Sequence, residues 1–119
     1  MEQIEITRSL GATGSTTILW LKGPLSLSTF CVLEQNLREA GNVDTVIDVS
    51  LVPYIDSAGL GTILSHWAHT QRNGRKFALT GISPRINLLL EITRVNTILP
   101  AFPTAEAADR AFIAKAATA

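Results

Sequence analysis

Ser57 and Asp56 stand side by side in the segment D-V-S-L-V-P-Y-I-D-S-A-G-L-G, residues 48–61, where an apolar run gives way to a helical pattern. A carboxylate and a hydroxyl at such a junction have two elementary uses. Either can cap the helix by accepting a hydrogen bond from an orphan backbone N–H. Alternatively, the hydroxyl can serve as a nucleophile if a base lies beside it. His66 is the nearest base on the same helix, nine residues on from Ser57. That spacing is a rise of about 13 Å at ~1.5 Å per residue, against the ~3 Å that a nucleophile–base pair needs, so the dyad fails on geometry.

Other catalytic or ligand-binding patterns are weaker still. Gly59-Leu60-Gly61 begins like a dinucleotide fingerprint, but Leu64 stands where the third glycine belongs. Neither a G-x-x-x-x-G-K-[ST] phosphate loop nor a G-x-S-x-G elbow occurs. His66 and His69 could share a helix face, yet nothing in the sequence completes the three or four ligands of a zinc site. Asp44, Asp48 and Asp56 are scattered over strand and loop; Asp48, within an apolar strand, is expected to accept hydrogen bonds from a neighbouring loop's backbone. The expectation is a non-enzyme with no metal and no cofactor.

Two features of the same helix point to a binding surface instead. Gly59 and Gly61 fall in its first turns, where each costs up to ~1 kcal/mol against Ala, which suggests that something approaches the helix closely. From Ser57 to Gln71 there is no Asp, Glu, Lys or Arg. Leu60, Ile63, Leu64 and Trp67 share one face, and the opposite face carries Ala58, Thr62, Ser65, His66 and His69. Solvated helix faces normally carry charge, whereas interface cores are depleted of it.

The elements that must hold this helix follow from periodicity. Ile4, Ile6 and Leu10 alternate with Glu5 and Thr7, a half-buried strand. A turn at residues 11–15 leads into a second strand, Thr16–Lys22, completing an antiparallel hairpin. Leu27, Phe30, Leu33, Leu37 and Ala40 then follow helical spacing, with Ser26 or Ser28 as N-cap and Gly41 as the stop. Residues 45–49 (TVIDV) read as a central strand, and the charge-free helix runs from Asp56-Ser57 to Asn73-Gly74. Residues 76–80 form a strand, Ser83-Pro84 starts a helix, residues 97–99 form a last short strand, and Thr104 opens a helix through Phe112. The order β-β-α-β-α-β-α-β-α is that of an α/β fold: a small, mixed, largely parallel sheet with helices packed against it. The expected unit is one domain over residues 1–119, with its core at about 4–112 and residues 115–119 fraying.

Composition narrows the classes. Ten Lys and Arg balance ten Asp and Glu, which removes any general electrostatic reason to bind nucleic acid or an anionic membrane. No apolar run approaches a membrane span, and the acidic start lacks the features of a secretory signal. The lone Cys31 cannot form an internal disulfide, and it is expected in the core. Together these predict a cytoplasmic protein.

The chain resembles the STAS domain family, in particular its single-domain bacterial anti-sigma factor antagonists. The resemblance covers residues 4–112. It rests on the element order, on Leu19-x-Leu21-x-Gly23-x-Leu25, and above all on Ile47-Asp48-Val49-Ser50…Tyr54-Ile55-Asp56-Ser57-Ala58-Gly59-Leu60-Gly61. It implies that Ser57 is a phosphorylation site. The unphosphorylated protein would bind an anti-sigma factor with serine kinase activity and so release a sigma factor, and a serine phosphatase would restore it. The surface implied comprises Ser26, Asp56, Ser57, Ala58, Gly59, Thr62, Ser65 and His66, and a weak homodimer is a further option. Two residues depart from the family pattern: Ala58 replaces a frequent second serine, and Ser26 stands where antagonists commonly have an aspartate. The alternative is a STAS scaffold or regulatory subunit of a transport or signalling complex, without phosphate cycling.

Overall fold

Side-chain alternation along the strands separates two apolar layers. The computed structural model describes residues 2–118. It contains β1 (Glu5–Leu10), β2 (Thr16–Lys22), α1 (Phe30–Ala40), β3 (Asp44–Leu51), α2 (Ser57–Arg72), β4 (Phe77–Thr80), α3 (Pro84–Ile92), β5 (Ala101–Phe102) and α4 (Ala105–Thr118). β1 pairs antiparallel with β2, and β2, β3, β4 and β5 follow in parallel, so spatial order equals chain order. This is the expected mixed, largely parallel sheet.

With each strand laid down on the same side of the last, right-handed crossovers must put α1, α2 and α3 on one face. Packing agrees. Leu19, Ile47 and Leu79 join a core with Leu33 and Leu37 of α1, Leu60 and Ile63 of α2, and Ile86 and Leu90 of α3. The preceding residues Ile18, Val46 and Ala78 point the other way and pack on Ala105, Ala108 and Phe112 of α4. Neighbouring residues thus serve opposite layers. The β1–β2 turn is tied to α4 as well: the Ala12 N–H donates to buried Asp109 at 2.8 Å.

Several expectations are corrected. Leu27 is not on a buried helix face but 73% exposed. Residues 26–29 form a turn first, in which the Thr29 hydroxyl accepts from Ser26 N at 2.9 Å and donates to Pro24 O at 2.8 Å. The helix therefore begins at Phe30, with Thr29 rather than Ser26 or Ser28 at the N-cap position. Cys31 is exposed, not in the core. It lies two residues, or about 200° of helix rotation, from the inward-facing Leu33. Leu10, at the hairpin end, is also exposed. Residues 97–99 are not a strand: Ile98 N and Leu99 N both donate to Val95 O, making a turn that buries Val95 and Leu99. The last strand, β5, comes after Pro100. α4 runs on past Phe112 to Thr118, so residues 115–118 are helical; Ala119 lies outside the described residues.

Candidate functional site

Two loops are zipped together at the tip of α2. Leu25 N donates to Tyr54 O at 3.1 Å, Asp56 N donates to Leu25 O at 3.1 Å, and Leu25 and Ile55 form an isolated parallel bridge. Asp56 then serves both loops with one carboxylate. Its Oδ1 accepts from Gly59 N at 3.0 Å, capping α2, and its Oδ2 accepts from Leu27 N at 2.9 Å. The bond from Gly59 N is the main cause that holds the Asp56 carboxyl below the usual carboxylate range. Partial burial acts against it, and the bonds from Leu27 and Ala58 add to it. Between the two candidate caps, Asp56 is the one in use.

Asp56→Ala is expected to cost about 0.5–2 kcal/mol, chiefly from the lost cap, because the freed Leu27 N–H lies on an exposed residue and can turn to water. Urea unfolding gives the loss, and hydrogen exchange should quicken first at Leu27 and Gly59; unchanged protection at both would contradict the double role. Because the folded-state pKa is depressed, the part of this stabilisation that depends on the carboxylate's charge is complete above the ordinary carboxylate pKa near ~4 and is lost as pH falls through the lower folded value.

Ser57 opens α2 on the exposed side, and its hydroxyl has no hydrogen-bond partner among the described residues. Exposed Leu27 is tied to the neighbouring Asp56, and the loop before Ser57 leads to a shallow hollow lined by Tyr54, with the Arg85 guanidinium 5.4 Å above its ring, and by the exposed Leu88 and Ile92 of α3. Ala58 is half-buried, and its carbonyl accepts from Thr62 Oγ1 at 3.1 Å. Gly59 is buried, and the close approach comes from within the chain: a Cβ there would stand 2.5 Å from Leu25 O. Gly61 faces open space and needs no such explanation.

The neutral face of α2 divides. Ser65 is exposed, but Thr62 and His66 are turned inward, where α1 and the sheet cover them. A groove of about 290 Å³ between α1 and α2 reaches them past Arg38 and Ser65. His66 is therefore corrected from a surface contact to an interior residue, 8% exposed. Its Nε2 is 3.1 Å from Thr45 Oγ1. The Thr45 hydroxyl proton goes to Val43 O at 3.1 Å, so the imidazole Nε2–H donates to Thr45. The ring also stacks on His69 and meets Phe77 edge-on.

Burial, and then the nearby His69, push the His66 pKa down to about 4 from 6.5. The unfolded chain therefore takes up the proton first. Stability should be highest above pH ~6.5 and should fall as pH drops toward ~4, by up to about 3 kcal/mol. Urea midpoints measured across this range should show the slope, and His66→Gln should flatten it. A wild-type midpoint independent of pH there would refute the assignment.

Ser26 is likewise no surface contact. It is buried, its hydroxyl donates to Glu2 Oε1 at 2.7 Å, and it accepts from Ser28 N at 3.3 Å. A carboxylate thus does reach this loop, but from Glu2. Asp48 is buried and accepts from Thr80 Oγ1 of β4 at 2.8 Å and from the N–H and hydroxyl of Ser50, rather than from a neighbouring loop. No group of three His, Cys, Asp or Glu among the described residues is placed to hold a metal ion. No helix among them is long and apolar enough to cross a membrane. The sequence missed Leu27, Tyr54 and Glu2 at this site. Only the exposed apolar Leu27 had a local signal, the turn-forming Ser residues on either side of it.

Residues 4–108 match the family model described as the STAS domain. The anti-sigma-B factor antagonist of Staphylococcus aureus is 31% identical over 80 residues, covering 65% of this chain and 74% of the relative. Among solved structures, an anti-sigma factor antagonist from Mycobacterium paratuberculosis superposes with a TM-score of 0.81 at 21% identity, covering 91% of this chain and 92% of that one. The Bacillus cell fate determinant SpoIIAA in its phosphorylated form gives 0.69 at 18% identity, covering 90% and 99%. At these identities the structural likeness speaks for the fold.

Proposed function

The chain belongs to the STAS domain family, and we propose that it acts there as an anti-sigma factor antagonist switched by phosphate at Ser57. In this reading the unphosphorylated tip of α2 docks on an anti-sigma factor in the bacterial cytoplasm, and a sigma factor is released. That partner, a serine kinase, phosphorylates Ser57 and ends the association; a serine phosphatase reverses it. The observation that carries the reading is Ser57 itself: an exposed hydroxyl without a hydrogen-bond partner among the described residues, at the first position of a helix whose tip is capped by Asp56.

Three supports accompany it. The sequence relative is an anti-sigma-B factor antagonist. A fold neighbour has been solved in a phosphorylated form. The surroundings of Ser57 suit docking, with apolar Leu27 exposed on the loop that Asp56 holds and no charged side chain on α2 before Arg72. The partner-facing set is Asp56, Ser57, Ala58 and Ser65, with Gly59 setting the approach of the Leu25 loop from behind.

The test is incubation with the cognate kinase and ATP, followed by mass spectrometry of the tryptic peptides. Phosphoserine at Ser57, and its absence from Ser57→Ala, is the expected result. An unmodified Ser57 in a chain that still binds its partner would replace the switch with a scaffold role.

A further inference from the structure

A second cavity lies at the far end of the sheet from Ser57, with about 400 Å³ of space between the C-terminal parts of α2 and α4 and the start of β4. α2 separates the two places by about 24 Å, its 16 residues rising ~1.5 Å each. The cavity floor is aromatic, made by the buried Phe77 and Phe112 and the half-buried Phe102. The rim is basic, carrying Arg75, Lys76 and Lys115. Asp44 sits close by: its Oδ2 is 3.7 Å from Lys76 Nζ, and its Oδ1 accepts from Lys76 N at 2.9 Å.

Arg75 is exposed, and its guanidinium meets no carboxylate among the described residues. Nor is it needed as a cap for α2. His69 O accepts from the N–H and the side-chain amide of Asn73, and Thr70 O accepts from Asn73 N and Arg75 N.

We infer that this cavity binds a small amphiphilic anion, an aromatic carboxylate, with its ring against the phenylalanines and its carboxylate on the Arg75 fork. The volume falls at the lower end of small-molecule pockets, ~300–1,000 Å³. Mostly apolar walls with a few convergent polar groups are what such pockets present. A planar guanidinium matches a carboxylate bidentately, which a lysine cannot do. Aromatic side chains favour a flat ring stacked or edge-on. The site is independent of the Ser57 reading, because ligand and protein partner would occupy opposite ends of α2.

The experiment is an amide NMR titration of the whole chain with 1-naphthoate, with 1-naphthylmethylammonium as the charge-reversed control. Ligand efficiencies typical of small molecules place the naphthoate Kd at about 1 mM. Saturable shifts are expected at Arg75, Lys76, Phe102 and Lys115, with the ammonium analogue at least about tenfold weaker. Arg75→Glu, an exposed substitution whose spectrum reports its own fold, should weaken naphthoate at least about fivefold. Ala111→Phe, which fills the cavity wall, should abolish the shifts. Equal binding of the two analogues, unchanged affinity in Arg75→Glu, or shifts centred on the exposed leucines of α3 would each overturn the assignment.

Discussion

Phosphorylated Ser57 should bind the anti-sigma partner about 30- to 5,000-fold more weakly than the unmodified chain, while the domain itself stays folded. The two halves of that expectation have different origins. A phosphate adds about −1.5 to −2 charges at pH 7. At the N-terminus of α2 such an anion is welcome, by ~0.3–1 kcal/mol and up to ~2 in favourable geometry. At a docked interface it must be stripped of water beside the Asp56 carboxylate, which is already committed to Leu27 N and Gly59 N. Leaving an unpaired charge buried there costs ~2–5 kcal/mol of affinity, which is the stated range in Kd. The interfacial cost exceeds the local gain, so the switch needs no refolding. Ser57→Ala should leave the fold intact, because the Ser57 hydroxyl has no hydrogen-bond partner among the described residues, and should keep binding, because it adds no charge to the interface. Ser57→Asp, with one charge and a shorter reach, should sit near the weak end, at about tenfold or more. Calorimetry with the purified partner decides; equal affinities for wild type, Ala and Asp variants would sink the model.

Gly59→Ala and Gly61→Ala should move stability in opposite directions, although both replace glycine in the first turns of one helix. At Gly59 the new Cβ would stand 2.5 Å from Leu25 O and 2.7 Å from Leu25 Cγ. Leu25 is wholly buried, and its carbonyl already accepts from Asp56 N at 3.1 Å. Either the loop or the helix tip must therefore give way. Overpacking of this kind costs ~1–3 kcal/mol, and disturbing the Asp56 bonds adds about 1 more. The helix-propensity gain of ~1 kcal/mol from Ala does not offset this, so a net loss of about 1–3 kcal/mol is expected. At Gly61 nothing lies within 4 Å, so Ala should stabilise by up to ~1 kcal/mol. Thermal melts should show several degrees down for one and a few up for the other. Gly59→Ala should also weaken partner binding, because it displaces the scaffold under Ser57. A pair that shifted alike would show that the contact with Leu25 is not what governs this position.

Much of the scaffold was legible because its signals are local. Two-residue alternation marked β1, the turn at residues 11–15 marked where β2 begins, Ser83-Pro84 marked the start of α3, and Asn73-Gly74 marked the end of α2. The errors share a cause. Leu27 fits helical spacing with Leu33 and Leu37, yet the turn that excludes it depends on Thr29 reaching Pro24 O. β5 has only two residues, too few to show any period, and its position follows from Leu79 N finding Pro100 O. His66 looked like a neutral surface residue because its partner, Thr45, lies 21 positions away on β3.

The helix tip is the part that the order of residues marked most directly. It set a carboxylate and a hydroxyl within short-range reach of the first N–H groups, either able to cap, and the structure put Asp56 Oδ1 on Gly59 N and left Ser57 exposed. The charge-free run behind it is equally plain in the letters. Tertiary contact decided the rest. It turned Thr62 and His66 inward, tied Ser26 to Glu2, and gave Asp56 its second task at Leu27. It also made Gly59 indispensable and left Gly61 idle. These outcomes depend on residues more than twenty positions apart meeting across the sheet, and local periodicity has no term for such meetings.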